Sequence, residues 1–159
     1  MTRILLRLLP LAVLLLLAAG PLSAQVERPT LRGAAEGDSP QKHLVKTIYE
    51  EVIYPPAAKE SRRTGPYLLK IYVTEEGADW KAMPLTPQIQ LDDPLNLTVV
   101  APDNTGGAPV GGQMKVNGDR ALLEETERMG RYLVNMGFDT APGVTSDSLH
   151  LVFYYQLEE

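Results

Sequence analysis

The chain has 159 residues and no cysteine, and its 15 basic and 20 acidic residues give a net charge of -5. The absence of cysteine excludes a disulfide framework, a thiolate nucleophile and a cysteine-based metal site. The acidic balance provides no electrostatic reason to bind nucleic acid or an anionic membrane surface.

The N-terminal residues are typical of a secretory signal peptide. Arg3 and Arg7 form a cationic start, residues 8–19 are apolar, and residues 21–24 end in small side chains. A membrane-spanning helix needs about 20 consecutive apolar residues, and Pro10 interrupts this run. The sequence therefore predicts that residues 1–24 are a signal peptide cleaved after this segment, with a retained membrane anchor as the alternative.

The mature chain is long enough for one domain. Removing the signal leaves 13 basic and 20 acidic residues. The remaining residues, about 135 in number, can bury a sufficient core without a metal or disulfide. Residues 25–38 are polar and show no hydrophobic period, which predicts a flexible lead-in, and residues 39–159 are expected to form the domain.

The first predicted helix covers residues 41–52. Ser39 can accept a hydrogen bond from a free amide at the helix start, and Pro40 fits the first turn. Apolar residues recur three and four apart and predict an inward stripe of Leu44, Val45, Ile48, Tyr49 and Val52. The helix must end before Pro55, because residues that precede proline avoid the helical conformation.

A short helix, a strand and a hairpin are predicted next. The helix begins at Pro56 and continues to about residue 63, with Gly65 as its left-handed stop. Residues 67–73 alternate between apolar and polar side chains, which is typical of a half-buried strand. A turn at residues 75–77 then leads to a partner strand over residues 78–82, anchored by Trp80.

A long helix and a final strand are predicted at the C-terminal end. Asp119 can cap the helix, Gly137 stops it, and the outer face holds charged residues that include Glu125. Its inward stripe is Leu122, Thr126, Met129, Leu133 and Met136. Residues 149–157 alternate in the manner of a strand, more regularly than any other segment.

Residues 83–118, between the hairpin and this helix, exceed the usual length of a loop. Weak strand patterns at residues 88–91, 95–100 and 113–116 predict that this insertion widens the sheet or forms a small flap. The glycine cluster at residues 106–112 lacks the Gly-Lys-Ser/Thr ending of a phosphate loop, which favours a mobile loop.

The segment from Tyr54 to Gly77 resembles the start of the C-terminal domain of TonB, the periplasmic energy transducer of Gram-negative bacteria. It contains Tyr-Pro-x-x-Ala, a helical turn, a glycine, and a strand ending in Val-Thr-x-x-Gly. The resemblance implies an α+β fold in which a small antiparallel sheet has a leading helix and a second helix packed across one face. The insertion at about 83–118 departs from the compact family pattern.

The resemblance also implies a binding mode. In the family, an extended segment of an outer-membrane receptor or another envelope protein adds a strand beside the last strand of the sheet, so that main-chain hydrogen bonds provide the affinity. The corresponding candidate residues here are Leu149, His150, Leu151, Val152, Phe153, Tyr154 and Tyr155. The alternative is that this strand pairs within the chain or with a second copy of it.

The expected function is that of a non-catalytic periplasmic interaction module without cofactor or metal. A removable signal and a short lead-in argue against energy transduction, because a transducer needs a retained membrane helix and a long spacer. A membrane-anchored TonB-type transducer is the alternative if the signal is retained. An enzyme is the third hypothesis and is disfavoured, because the sequence shows no convergent acid, base or nucleophile. A pocket that joins Asp92, Asp93 and His150 would strengthen it. His43 and His150 are expected to have surface or sheet-packing roles, since no carboxylate lies near either histidine at metal-ligand spacing in the sequence.

Overall fold

The computed structural model describes residues 28–103 and 110–158, so the predicted signal peptide lies outside the described residues. The described residues contain three helices, α1 (Pro40–Glu51), α2 (Pro56–Glu60) and α3 (Gly112–Met136). The strands are β1 (Thr30–Leu31), β2 (Gly65–Thr74), β3 (Gly77–Pro84), β4 (Leu95–Pro102), β5 (Phe138–Asp139) and β6 (Ser146–Glu158).

A four-stranded sheet with the order β3-β2-β6-β4 organises the fold. Strand β2 is antiparallel to both β3 and β6, whereas β4 is parallel to β6. The predicted α+β class, with a small antiparallel sheet and helices, is confirmed. Part of the insertion widens this sheet as β4, but residues 88–91 form no strand and residues 113–116 lie in α3.

Helix α3 begins earlier than the sequence predicts. Its first residue is Gly112, so Asp119 lies inside the helix and cannot cap it. The Asp119 carboxylate instead accepts hydrogen bonds from Arg63 at 2.6 and 3.0 Å. Gly118 lies inside the helix where α3 crosses the end of α2. A Cβ atom at this position would lie 1.9 Å from the Ser61 Oγ, so the glycine permits close packing and is not a loop residue.

The two helices before β2 begin as predicted, but α2 ends earlier. The Ser39 hydroxyl accepts a hydrogen bond from the Lys42 amide at 3.1 Å, which confirms the predicted cap. In α2 the left-handed position belongs to Arg62, with φ of 52°, and the Arg63 amide donates to the Ala58 carbonyl at 2.8 Å. Gly65 is therefore the first residue of β2 rather than the helix stop.

Part of the predicted flexible lead-in is ordered. Thr30 pairs with Asp139 and Leu31 with Phe138 in a small two-stranded sheet. Leu31 is buried in the core cluster, which explains why this short polar segment is held against the domain.

Three tyrosines tie the Tyr54-Pro55 segment to the sheet. The Tyr155 ring makes edge contacts with the rings of Tyr54 and Tyr67, with centroid distances of 5.7 and 5.8 Å. The Tyr54 hydroxyl donates to the Arg63 carbonyl, and the Tyr67 hydroxyl donates to the Asp119 carbonyl at 3.2 Å. The Tyr54 and Tyr67 rings thus pack on the core while their hydroxyls bind backbone carbonyls outside the sheet, and the Tyr155 hydroxyl lies 3.4 Å from the Thr126 hydroxyl.

Glu125 is buried, which contradicts its predicted place on the outer face of α3. Its carboxylate accepts hydrogen bonds from the Ile53 amide at 2.9 Å and from Arg128 at 2.7 and 2.8 Å. Arg128 also donates to the Glu51 carbonyl at 2.5 Å. This charged pair joins α3 to the C-terminal end of α1, so its burial is compensated by hydrogen bonds.

We predict that Gly130→Ala destabilises the protein. A Cβ atom at Gly130 would lie 2.7 Å from Trp80 and 2.9 Å from Leu69, so the Trp80 ring must shift. Overpacking of this kind costs about 1–3 kcal/mol, more than the helix propensity gained from alanine. Urea unfolding measures the difference, and Gly112→Ala in the same helix is the control, because it has open space and should be nearly neutral.

We also predict that stability falls in alkali because Tyr54 must stay protonated. Burial, followed by the influence of Tyr67 and Asp103, raises the pKa of Tyr54 from 10.0 to about 12. Since the folded pKa exceeds the unfolded one, the contribution is complete below the unfolded value and disappears as the pH rises through the folded value.

The free energy of unfolding should therefore decline between about pH 10 and pH 12. Tyr54→Phe should lose about 1 kcal/mol at neutral pH from its missing hydrogen bond and should show a shallower alkaline decline. An equally steep decline in this variant would contradict the assignment.

Candidate protein-binding edge

The last strand of the chain is an interior strand of the sheet. Strand β6 pairs with β2 over residues 146–155 and with β4 over residues 151–158. Leu151, Phe153 and Tyr155 are almost fully buried in the core, on the helix side of the sheet. β4 occupies the place beside Leu151–Tyr155 that an added strand would take, so these residues are not a free docking edge, and for them the alternative of pairing within the chain holds. Leu149 and His150 precede the β4 pairing and pair with β2 only.

The edge strands of this sheet are β3 and β4, and in the part of the chain that the structure describes no strand pairs with their outer sides. Residues Ser146–His150 of β6 also pair on one side only, with β2. The direction of the backbone groups differs from residue to residue along each strand, because alternate residues hydrogen-bond toward opposite neighbours. Only the residues whose backbone groups point outward can bind an added strand.

The outer side of β4 is partly closed. The Asp103 amide donates to the Glu158 carbonyl of β6, which places the odd-numbered amides of β4 toward β6 and the even-numbered amides outward. The outward amide of Thr98 donates to the Tyr49 hydroxyl of α1 at 3.1 Å. Pro102, at the end of the strand, has no N–H to offer. Tyr49, predicted on the inward stripe of α1, serves instead as a cover for this edge.

The outer side of β3 is more open. The Leu85 amide donates to the Pro66 carbonyl at 3.0 Å, so the odd-numbered amides of β3 face β2. Ala78, Trp80 and Ala82 therefore direct their backbone groups away from the sheet. The Trp80 amide is bound at 2.7 Å by the carboxylate of the adjacent Asp79, and no described strand pairs with this side of β3. We call these outward groups of Ala78, Trp80 and Ala82 the β3 edge.

The side chains of β3 differ on the two faces of the sheet. Trp80 lies beneath α3 against Gly130, and the Arg131 guanidinium lies 5.7 Å from the centre of its ring. On the opposite face, Asp79 and Lys81 are exposed, and Lys81 is directly opposite Lys70 of β2. Like charges in this position repel each other, so an external carboxylate would relieve the strain of the pair.

Neither lysine has an intramolecular partner that could provide this relief. Within residues 28–103 and 110–158, no carboxylate lies at ion-pair distance from Lys70 or Lys81. The Lys70 ammonium instead lies 5.1 Å from the centre of the Tyr72 ring. The positive charge beside the β3 edge is therefore available to an incoming group.

The face away from the helices is partly covered by the connection from β3 to β4. These strands lie at opposite edges, so residues 85–94 must cross β2 and β6. Leu68 and Val152 are register partners on this face, and both are buried although neither belongs to the main core. His150 also lies here, as expected for a sheet-packing residue, with its Nδ1 atom 3.4 Å from the Asp92 carbonyl.

Asp92, Asp93 and His150 do not come together in the cleft beside α1. A cleft of about 570 Å³ is lined by Asp93 and Arg28, together with apolar residues such as Leu44 and Leu149, but not by Asp92 or His150. The Asp93 carboxylate forms an ion pair with Arg28. The residues described here also contain no cluster of three or more histidine or acidic side chains with the spacing of a metal site. The cleft thus does not join the three candidate residues.

Comparison with known proteins does not assign a family. No protein-family model matches this chain, and no curated protein or solved structure shows significant similarity to it. In the described residues, no helix has the length and apolar character needed to span a membrane. The resemblance to the TonB C-terminal domain remains a prediction based on Tyr54–Gly77.

We predict that amide hydrogen exchange will distinguish the two candidate edges. The outward amides of Ala78 and Ala82 should exchange rapidly, whereas the amides of Leu151, Val152 and Phe153 should be among the most protected because this part of β6 pairs on both sides. Asp79 and Lys81, which face β2, provide the control within β3. Rapid exchange along Leu151–Phe153 under the same conditions would contradict the interior position of β6.

Proposed function

We propose that this protein is a non-catalytic periplasmic interaction module that binds an extended protein segment by strand addition. The observation that supports the proposal is the β3 edge, where Ala78, Trp80 and Ala82 direct outward backbone groups that no described strand binds. An added strand would continue the order beyond β3 and satisfy these groups. The binding mode agrees with that implied by the TonB-like segment, but the edge is a different one.

The energetics favour an extended backbone over a folded surface as the ligand. Each main-chain hydrogen bond contributes about 0.5–1.5 kcal/mol, so several bonds in register provide useful affinity without a deep pocket. Selectivity then depends on alternate side chains of the partner. On one face these would meet Trp80, and on the other they would meet Asp79 and Lys81.

The periplasmic part of the proposal is supported by the predicted signal peptide and by the TonB-like sequence. An outer-membrane receptor or another envelope protein is the partner class that this resemblance implies. A measured mass beginning after Ala24 would support secretion and release, whereas an intact start at Met1 in the inner-membrane fraction would favour the anchored alternative.

Proline substitution at the two edges tests the proposed binding mode. Ala82→Pro and Val100→Pro each remove one outward N–H, from β3 and β4 respectively, and proline is tolerated at such positions of edge strands. Random eight-residue peptides displayed on phage and selected on the purified native protein supply the probe. We expect Ala82→Pro to weaken the selected peptides by about tenfold or more, and Val100→Pro to leave their affinity unchanged.

Thermal unfolding establishes that both variants are folded. Peptide binding should also slow the exchange of the Ala78 and Ala82 amides in the native protein. Selected peptides that bind both variants equally, or that protect only β4, would reject strand addition at the β3 edge.

A further inference from the structure

We infer that the β3 edge pairs with the same edge of a second copy of this chain, antiparallel and with a two-fold axis at Trp80. The inference rests on the proposed function, because it assigns an occupant to the same edge. The two four-stranded sheets would become one continuous sheet of eight strands. The evidence is the arrangement of backbone groups, charges and proline along β3.

The backbone pattern permits this pairing. With the axis at Trp80, Ala78 lies opposite Ala82 of the second copy, and the two Trp80 residues lie opposite each other. All three are residues whose amides and carbonyls point outward, so they form hydrogen-bonded pairs of the antiparallel type. Pro84, which lacks an N–H, would lie opposite the hairpin turn of the second copy, where no strand bond is lost.

The charges of β3 are self-complementary in this register. Asp79 lies opposite Lys81 of the second copy, and Lys81 lies opposite Asp79, so two ion pairs form on the face away from the helices. Cross-strand pairs of opposite charge stabilise a sheet, whereas like charges directly opposite destabilise it. The Asp79 carboxylate of the second copy would also offset the repulsion between Lys81 and Lys70, since Lys81 has no ion-pair partner among the described residues.

The neighbouring registers lack this complementarity. An axis at Asp79 places the two Asp79 carboxylates opposite each other, and an axis at Lys81 does the same with the two lysines. The register centred on Lys81 also places Pro84 opposite Ala78, where an N–H is needed. The register centred on Trp80 is therefore selected by charge and by hydrogen bonding together.

Asp79 has two roles in this arrangement. In the single chain its carboxylate accepts a hydrogen bond from the outward Trp80 amide at 2.7 Å. In the pair, that amide donates to Trp80 of the second copy, and the released carboxylate turns to the opposing Lys81. While the Asp79 carboxylate binds the Trp80 amide, that amide cannot pair with an arbitrary strand. A strand with a lysine opposite Asp79 draws the carboxylate away and frees the amide for pairing.

Charge exchange tests the pairing. In sedimentation equilibrium at low salt, the native full chain should form a dimer, and Asp79→Lys or Lys81→Asp should each raise the dissociation constant by about tenfold or more. An equimolar mixture of these two variants should recover dimers, because every opposing pair then has opposite charges. The double variant Asp79→Lys/Lys81→Asp should also recover them within about threefold, for the same reason.

Lys115→Asp is the matched control, since it makes the same charge change at an exposed position of α3 and should leave the dimer intact. Equal thermal unfolding of all variants excludes loss of the fold. A native chain that stays monomeric at millimolar concentration, or a mixture that recovers no dimer, would overturn the inference.

The two proposals fail separately. If the chain is monomeric but selected peptides still protect the Ala78 and Ala82 amides, the edge takes a foreign strand and only the self-pairing is wrong. If neither peptides nor a second copy protect these amides, the proposed function fails together with the inference.

Discussion

The double-sided pairing of β6 is the constraint on which the rest of the structure depends. This strand joins the β2–β3 hairpin to β4, and its inward side chains Leu151, Phe153 and Tyr155 form the centre of the core. Because both sides of Leu151–Tyr155 are hydrogen-bonded, that part of the strand cannot accept a partner without losing β2 or β4. The insertion that supplies β4 therefore shifts one edge of the sheet from β6 to β4, and β3 forms the other edge.

The aromatic and ionic contacts around β6 explain why the Tyr54-Pro55 segment is placed as it is. Tyr54 contacts the Tyr155 ring, and its hydroxyl binds a carbonyl just after α2. On the other side of this segment, Glu125 and Arg128 of α3 bind backbone groups at the end of α1. The two sets of contacts fix the segment between α1 and α2 against the helix side of the sheet.

Local patterns were sufficient to predict most elements but not their tertiary relations. The Ser39 cap, the hairpin turn and the alternation along β6 act within a few residues, and each prediction was confirmed. The start of α3 was predicted too late because Asp119 resembles a helix cap, whereas its carboxylate binds Arg63, which is distant in sequence. The burial of Glu125 could not be predicted from helix periodicity either, because it depends on a hydrogen bond from the distant Ile53 amide.

The candidate site shows the same limit. Alternation identifies β6 as a strand, but it does not say how many of its sides are paired. The strand pattern at residues 95–100 was visible, yet its position beside β6 depends on a crossover of the whole sheet. The strand order shows that β3 is an edge strand. Asp79 and Lys81 lie on either side of Trp80 in this strand, so the β3 edge is self-complementary in charge.

The pairing of β6 can be measured in solution by nuclear magnetic resonance, as main-chain hydrogen-bond couplings. We expect couplings that connect β6 with both β2 and β4, including one from the Asp103 amide to the Glu158 carbonyl, and none from the Ala82 amide to a strand of the same copy. A β6 that couples only to β2, with its other side free, would contradict the central claim and return the docking edge to the last strand.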